Sequence, residues 1–167
     1  PLVIKAEGLA HKSDMGGVAL APDDPAPALA AAHAMPCDSW LVEEMIADTV
    51  AELLIGVTRD PAHGLVLTLG AGGTLTEIMA DTATLLLPAT PAQIATALDS
   101  LRIAPLLAGY RGQPPADRAA ILRAVVAVQD YVIAHAARLE EVEINPLICT
   151  PTRAVAVDAL ITIGEDQ

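Results

Sequence analysis

The chain has 167 residues, enough for one domain or two small lobes with a sizeable buried core. Hydrophobic residues make up 53%, yet the apolar runs are broken by Gly, Pro or charge, so none reaches the ~20 residues of a membrane span. A net charge of −12, 2% aromatics and no Phe leave neither the phosphate-neutralising surface nor the stacking platform of a nucleic-acid binder.

In chain order, PLVIKAEG is a short apolar run suited to a strand, and GGVALA resumes strand character after the polar HKSDM. Together they read as two strands joined by a flap. PAPALAAAHAM reads as a helix with Pro tolerated at its start. WLVEEMI, AELLIGVTR and LVLTLG are strand candidates, and TLTEIMAD follows a Gly-rich turn. Thr90, Pro91 and Gln93 spell a capping-box start for a helix of about three turns over AQIATALDSLRI. After the turn-rich GYRGQPPAD, RAAILRAVVAVQDYVIAHAARL carries apolar residues at spacings of three and four, which predicts a long helix packed on the sheet. No internal repeat is present.

The last segment, EEVEINPLICTPTRAVAVDALI, reads as a hairpin with Glu143, Asn145 and Asp158 inside apolar strands. A four-residue connection centred between Pro151 and Thr152 sets Asn145 opposite Asp158, each the same distance along its strand from the turn. Opposed residues share a face, and Glu143, two residues back, shares it too. Oxygen-only donors without a His or Cys partner suit Mg²⁺, which takes one or two carboxylates and completes its shell with water and phosphates. A polar hairpin face turned to solvent is the alternative.

Other residues carry weaker signals, each with a plain alternative. Gly16 and Gly17, with Lys12, make a loop whose amides and charge could cradle phosphate, or an ordinary glycine hairpin; GxxxxGK followed by Ser or Thr is absent. Lys5 interrupts PLVIK, either as a phosphate contact or as a strand-end lysine reaching solvent. Gly70, Gly72 and Gly73 of GAGGT follow a strand, where amides face phosphate or simply turn the chain. Glu43, Glu44 and Glu52 put carboxylates on neighbouring strands, able to accept from an adenine amino group and a ribose hydroxyl, or exposed at an edge. Glu52 ranks first, because an acid in so apolar a run needs a partner. His11, beside Lys12, is either a phosphoryl-accepting nucleophile or a loop histidine. His33, His63 and His135 read as helix or turn residues.

Cys37 and Cys149 have no CxxC spacing, which speaks against a disulfide framework or zinc site and makes the cytoplasm the default. The first residues carry no secretory signal pattern, and the bare opening suggests a piece of a longer chain.

Taken as a set, VIKAEGLAHKSDMGGVAL, LVEEM, AELLIGVTRDP, LGAGGTLTEI, PLLAGYRGQPPAD and VEINPL followed by AVAVDA resemble, in order and spacing, the ATP-grasp part of NDP-forming acyl-CoA synthetases. That group includes ADP-forming acetyl-CoA synthetase and is similar to the beta subunit of succinyl-CoA synthetase. The resemblance implies an α+β ATP-grasp fold lacking the N-terminal part of its first lobe, with residues 1–40 as the rest of that lobe and 41–167 as the second. It implies ATP or ADP and Mg²⁺ as cofactors. Lys5, Lys12, Gly16 and Gly17 would meet nucleotide phosphates, with Gly72 and Gly73 nearby. Glu43 and Glu44 in the hinge would meet adenine, Glu43 standing where many relatives carry Gln, and Glu52 would hold the ribose. Asn145 and Asp158 would ligate magnesium, Glu143 would position a phosphohistidine segment, and His11 would relay phosphate.

The family reaction joins an acid to CoA with ATP, giving acyl-CoA, ADP and phosphate through a phosphohistidine. The implied enzyme is an acid-thiol ligase, this segment not being active alone. The CoA-binding and phosphohistidine-carrying domains, and the sites for CoA and the carboxylic acid, would lie elsewhere. A different expectation is a nucleotide-sensing module attached to a protein acetyltransferase; a third is a structural interaction domain, which would leave the buried acids unexplained.

Overall fold

The computed structural model describes residues 1–8, 16–21, 24–73 and 76–164, without the side chains of residues 77 and 78. It divides into two compact units, Pro1–Ala47 and Asp48–Gln167. The division falls after Ala47 and not after residue 40, because the strand containing Glu43 pairs within the first unit.

In the first unit, β1 (Leu2–Ala6) lies between β2 (Val18–Ala21) and β3 (Trp40–Glu44), antiparallel to both. Helix α1 (Pro25–His33) starts at Asp24, whose side chain accepts from the Ala26 N–H, with Pro25 at the first helical position. Its Ala28 and Ala32 join Ile4, Ala6, Ala19 and Met35 in a small core. The strands and helix expected from PLVIKAEG, GGVALA and PAPALAAAHAM are therefore present.

The second unit is an antiparallel sheet in the order β6, β5, β4, β7, β8, with β9 also on β7. These strands are β4 (Ala51–Asp60), β5 (Gly64–Ala71), β6 (Thr82–Leu86), β7 (Leu139–Cys149), β8 (Ala154–Ala156) and β9 (Ala159–Ile163). Two short helices, α2 (Thr76–Met79) and α4 (Ala104–Leu107), and the strand β6 were not anticipated.

Helix α3 (Pro91–Ser100) has the expected capping box between Thr90 and Gln93. Helix α5 (Arg118–Ala134) is capped by Asp117. Both lay their apolar sides on one face of the sheet, where Leu53, Ile55, Val57, Leu67 and Leu69 meet Ile94, Leu98, Ile121, Val125 and Val132. Each such fully buried side chain contributes about 1.5–3 kcal/mol relative to exposure, an upper figure given residual structure in the unfolded chain. Alternation along β4 then sends Glu52, Leu54, Gly56 and Thr58 to the opposite face.

Candidate functional site

The register of the terminal hairpin builds the site. Strands β7 and β8 pair as Cys149↔Ala154, Ile148↔Val155 and Leu147↔Ala156, and β9 continues it with Ile144↔Ala159 and Glu143↔Leu160. The connection has the four residues 150–153 expected from the sequence. Thr150, 3% exposed, organises it: its hydroxyl oxygen accepts from the Thr152 and Arg153 N–H groups, and its backbone bonds Arg153 and Asp117. Between β8 and β9 the Asn145 N–H donates to the Asp158 carbonyl at 3.3 Å, so the two residues stand opposite one another.

On the other side of β7 the register shifts, from Leu53↔Leu147 to Ile55↔Ile144. The extra residue sits at Asn145 and Pro146, a bulge opposite Leu54. The core face consequently passes from Val142 and Ile144 to Leu147 and Cys149, leaving Glu143 and Asn145 half-buried on the face away from α3 and α5. Asn145 Nδ2 lies 3.5 Å from Glu143 Oε1, and Asn145 Oδ1 accepts from the Gly73 N–H at 2.9 Å. Asp158 is half-buried, with Oδ1 3.1 Å from the Ala159 N–H.

Glu52 joins this cluster from β4. Its carbonyl accepts from the Gly72 N–H at 2.9 Å, and its carboxylate occupies the place a Cβ on Gly73 would take. A Cβ on Gly72 would meet the Leu53 backbone at 2.5 Å. Gly72 is thus required by its close approach to the β4 backbone, and Gly73 by its φ of +79°. The amides expected to face a phosphate are both engaged within the unit, one by Glu52 and one by Asn145. Glu52, Gly72, Gly73, Glu143, Asn145 and Asp158 are brought together.

Lys5, Gly16, Gly17, Glu43 and Glu44 belong to the first unit. Lys5 Nζ and Glu43 Oε2 form an ion pair at 2.5 Å, a diagonal contact across β1 and β3 in which Lys5 is 12% exposed. Gly16 has φ +68°, and the Gly17 carbonyl accepts from the Ala6 N–H. Glu44 stands opposite Leu2 at the exposed end of β3. The expectation that Glu43 and Glu44 lie on a strand neighbouring that of Glu52 is corrected: β3 pairs with β1, whereas β4 pairs with β5 and β7. His11 and Lys12 lie outside the described residues.

Two supports escaped the sequence reading. Thr76 donates its hydroxyl to the Gly73 carbonyl at 2.6 Å, and Asp81, 6% exposed, accepts from the Arg102 and Ile103 N–H groups at 2.8 and 3.0 Å. Nothing local in the sequence marked either. At the far end of β7, burial pushes the Cys149 thiol up to about 12.

The donors around Asn145 are all oxygens, which fits a hard cation such as Mg²⁺ better than zinc or copper. Among the described residues no group of three His, Cys, Asp or Glu side chains gathers as a metal cluster. Glu143 and Asp158 carry carboxylates, and Asn145 Oδ1 keeps a lone pair beyond the one used by Gly73.

A family model described as an ATP-grasp domain matches residues 1–163. The chain belongs to the ATP-grasp family. Over 171 residues it is 28% identical to acetate–CoA ligase (ADP-forming) I subunit beta of Pyrococcus furiosus, spanning 95% of this chain and 73% of that one. It is 33% identical over 178 residues to a trans-feruloyl-CoA synthase from an unknown prokaryotic organism, spanning 98% of this chain and 25% of that protein. The chain thus spans about a quarter of that synthase.

Among solved structures it matches the dinucleotide forming acetyl-coenzyme A synthetase 1 of Ca. Korarchaeum cryptofilum, in complex with coenzyme A and Ca-AMPCP, at a TM-score of 0.86. Identity there is 27%, covering 98% of this chain and 76% of that one. A second structure of that synthetase, with coenzyme A, Mg-AMPPCP and a phosphohistidine segment pointing towards the nucleotide binding site, matches at 0.83 and 28% identity, with the same coverage. The α+β ATP-grasp fold expected from the sequence is the fold observed. Among the described residues no helix is long and apolar enough to cross a membrane.

Proposed function

We propose that this chain is the nucleotide-binding, phosphoryl-transferring part of an NDP-forming acyl-CoA synthetase, which converts an acid, CoA and ATP to acyl-CoA, ADP and phosphate through a phosphohistidine. One observation carries the reading: in an ATP-grasp domain, the hairpin register sets Asn145 against Asp158, while Asn145 and Glu52 both meet Gly73.

Asn145 and Asp158 would hold Mg²⁺, which when bound neutralises and aligns the nucleotide phosphates. Glu52 accepts from the ribose hydroxyls. Lys5 trades its ion pair with Glu43 for a phosphate oxygen, and Glu43 and Glu44 meet the adenine edge. Gly16, Gly17 and Lys12 cover the phosphates, and Gly72 and Gly73 let Glu52 approach. Glu143 positions the carrier segment, and His11 relays phosphate to it. Rate then comes from holding the phosphates in line and spreading their charge over fixed groups. The carrier histidine, the CoA site and the acid site belong to partner domains.

The test is calorimetry of ADP binding to the full-length protein, with and without Mg²⁺, for wild type, Glu52→Ala and Asp158→Ala. Wild type should bind in a magnesium-dependent way. Asp158→Ala should lose that dependence, and Glu52→Ala should lose affinity with it or without it. Unchanged affinity in both variants would remove the nucleotide assignment.

A further inference from the structure

The peptide of Gly73 is held from three directions. Its N–H donates to Asn145 Oδ1 at 2.9 Å, its carbonyl accepts from Thr76 Oγ1 at 2.6 Å, and the Glu52 carboxylate fills the space where a side chain would begin. A carboxamide can be turned end for end with little change in packing, exchanging its oxygen and its NH₂ group. Only the oxygen accepts, so the Gly73 N–H selects one orientation: Oδ1 towards residue 73 and Nδ2 towards Glu143 Oε1, 3.5 Å away. In the reversed orientation an NH₂ group would oppose the Gly73 N–H, and the same NH₂ would confront a cation.

We infer that Gly73 is a positioning residue for the cation site: its N–H fixes which end of Asn145 is presented, while its missing side chain admits the Glu52 carboxylate. This rests on Asn145 being a cation ligand. The consequence is a link between two subsites. A substitution at residue 73 disturbs the metal-facing amide and the sugar-facing carboxylate together, although residue 73 itself would contact neither cation nor sugar. Gly73 is thereby moved from phosphate binder to the support of two other residues.

A double-mutant cycle in the full-length protein separates this from a merely structural glycine. Mg²⁺ affinity is measured with ADP present for wild type, Gly73→Ala, Asn145→Asp and the double variant. In a carboxylate both ends are oxygens, so orientation ceases to matter. Gly73→Ala keeps the N–H, but a Cβ at φ +79° in the place of the Glu52 carboxylate moves that N–H off Asn145. Mg²⁺ binding should weaken by about tenfold or more beside Asn145, in the range seen when partners of metal ligands are lost. Beside Asn145→Asp most of that loss should be absent. An equal penalty in both backgrounds would overturn the inference.

Should Gly73→Ala not fold, amide exchange measured by NMR on wild type and Asn145→Ala decides. The Gly73 amide should exchange about tenfold faster once its acceptor is gone, with the β5 amides unchanged. No acceleration would also overturn it. This arm needs no metal, so it reads the Gly73 link even if Asp158→Ala shows that the cation assignment itself is mistaken.

Discussion

Replacing Gly72 with Ala isolates the packing that brings the glycine turn against β4. Gly72 lies outside the positive-φ region, so Ala meets no backbone strain there and the cost is steric. The new Cβ would lie 2.5 Å from the Leu53 carbonyl carbon, 2.6 Å from its oxygen and 2.9 Å from the Leu54 nitrogen. Relaxed heavy-atom contacts sit at about 3.5–4.0 Å, so the turn must retreat by about 1 Å. The neighbours are backbone of a central strand and cannot rotate away.

Overpacking of this kind costs about 1–3 kcal/mol, and the retreat weakens the Gly72 N–H bond to the Glu52 carbonyl, for about 1 kcal/mol more. Gly56→Ala on the same strand is the control. Its Cβ would meet only Thr68 Cβ, at 3.9 Å, and loss of chain entropy in the unfolded state makes it neutral or stabilising by about 0.4–1 kcal/mol. Urea unfolding of the chain followed by circular dichroism measures both. Gly72→Ala within about 0.5 kcal/mol of Gly56→Ala would refute the close approach, set against an expected difference of about 2–4 kcal/mol.

Thr150→Val keeps the shape and removes the hydroxyl that accepts from Thr152 and Arg153; urea unfolding should show a loss of about 1–2 kcal/mol. Asp81→Ala strands the buried Ile103 N–H and the half-buried Arg102 N–H, for a loss of about 2–3 kcal/mol in the same assay, while Asp81→Asn, keeping one acceptor, should lose less. Cys149 has a folded-state thiol pKa raised from 9.0 to about 12 by burial. Its contribution is therefore fully present below pH 9 and lost as pH rises towards 12, so Cys149→Ala should flatten the alkaline decline of stability. In the folded chain at pH 8 a thiol reagent should modify Cys37, which is half-buried, and spare Cys149.

The hairpin register was legible because its determinants are local: Pro151 in a four-residue connection, and strands whose apolar pattern leaves one pairing. The α3 start was legible for the same reason, Thr90, Pro91 and Gln93 lying within one turn. Strand β6, TATLL, went unread because it is only five residues long and a Pro follows closely, and α4 is a single turn, too short for periodicity. The bulge at Asn145 and Pro146 was hidden, since it exists only relative to β4, a strand about ninety positions earlier. Strand partners decided the rest. Pairing of β3 with β1 brings Glu43 diagonally to Lys5, and the Gly73 N–H is claimed by a residue 72 positions away. Residue types therefore pointed to the cluster, while long-range pairing decided which groups were already engaged.

The central claim is that Asn145 and Asp158 hold one divalent cation beside a nucleotide. Adding Mn²⁺ and ADP to the isotope-labelled full-length protein tests it by paramagnetic broadening of its NMR signals. The account predicts that the Asn145 side-chain amide and the backbone of residues 145 and 158 broaden first, only when nucleotide is present, and not in Asp158→Ala. Broadening centred on another part of the chain, with these signals sharp, would contradict it.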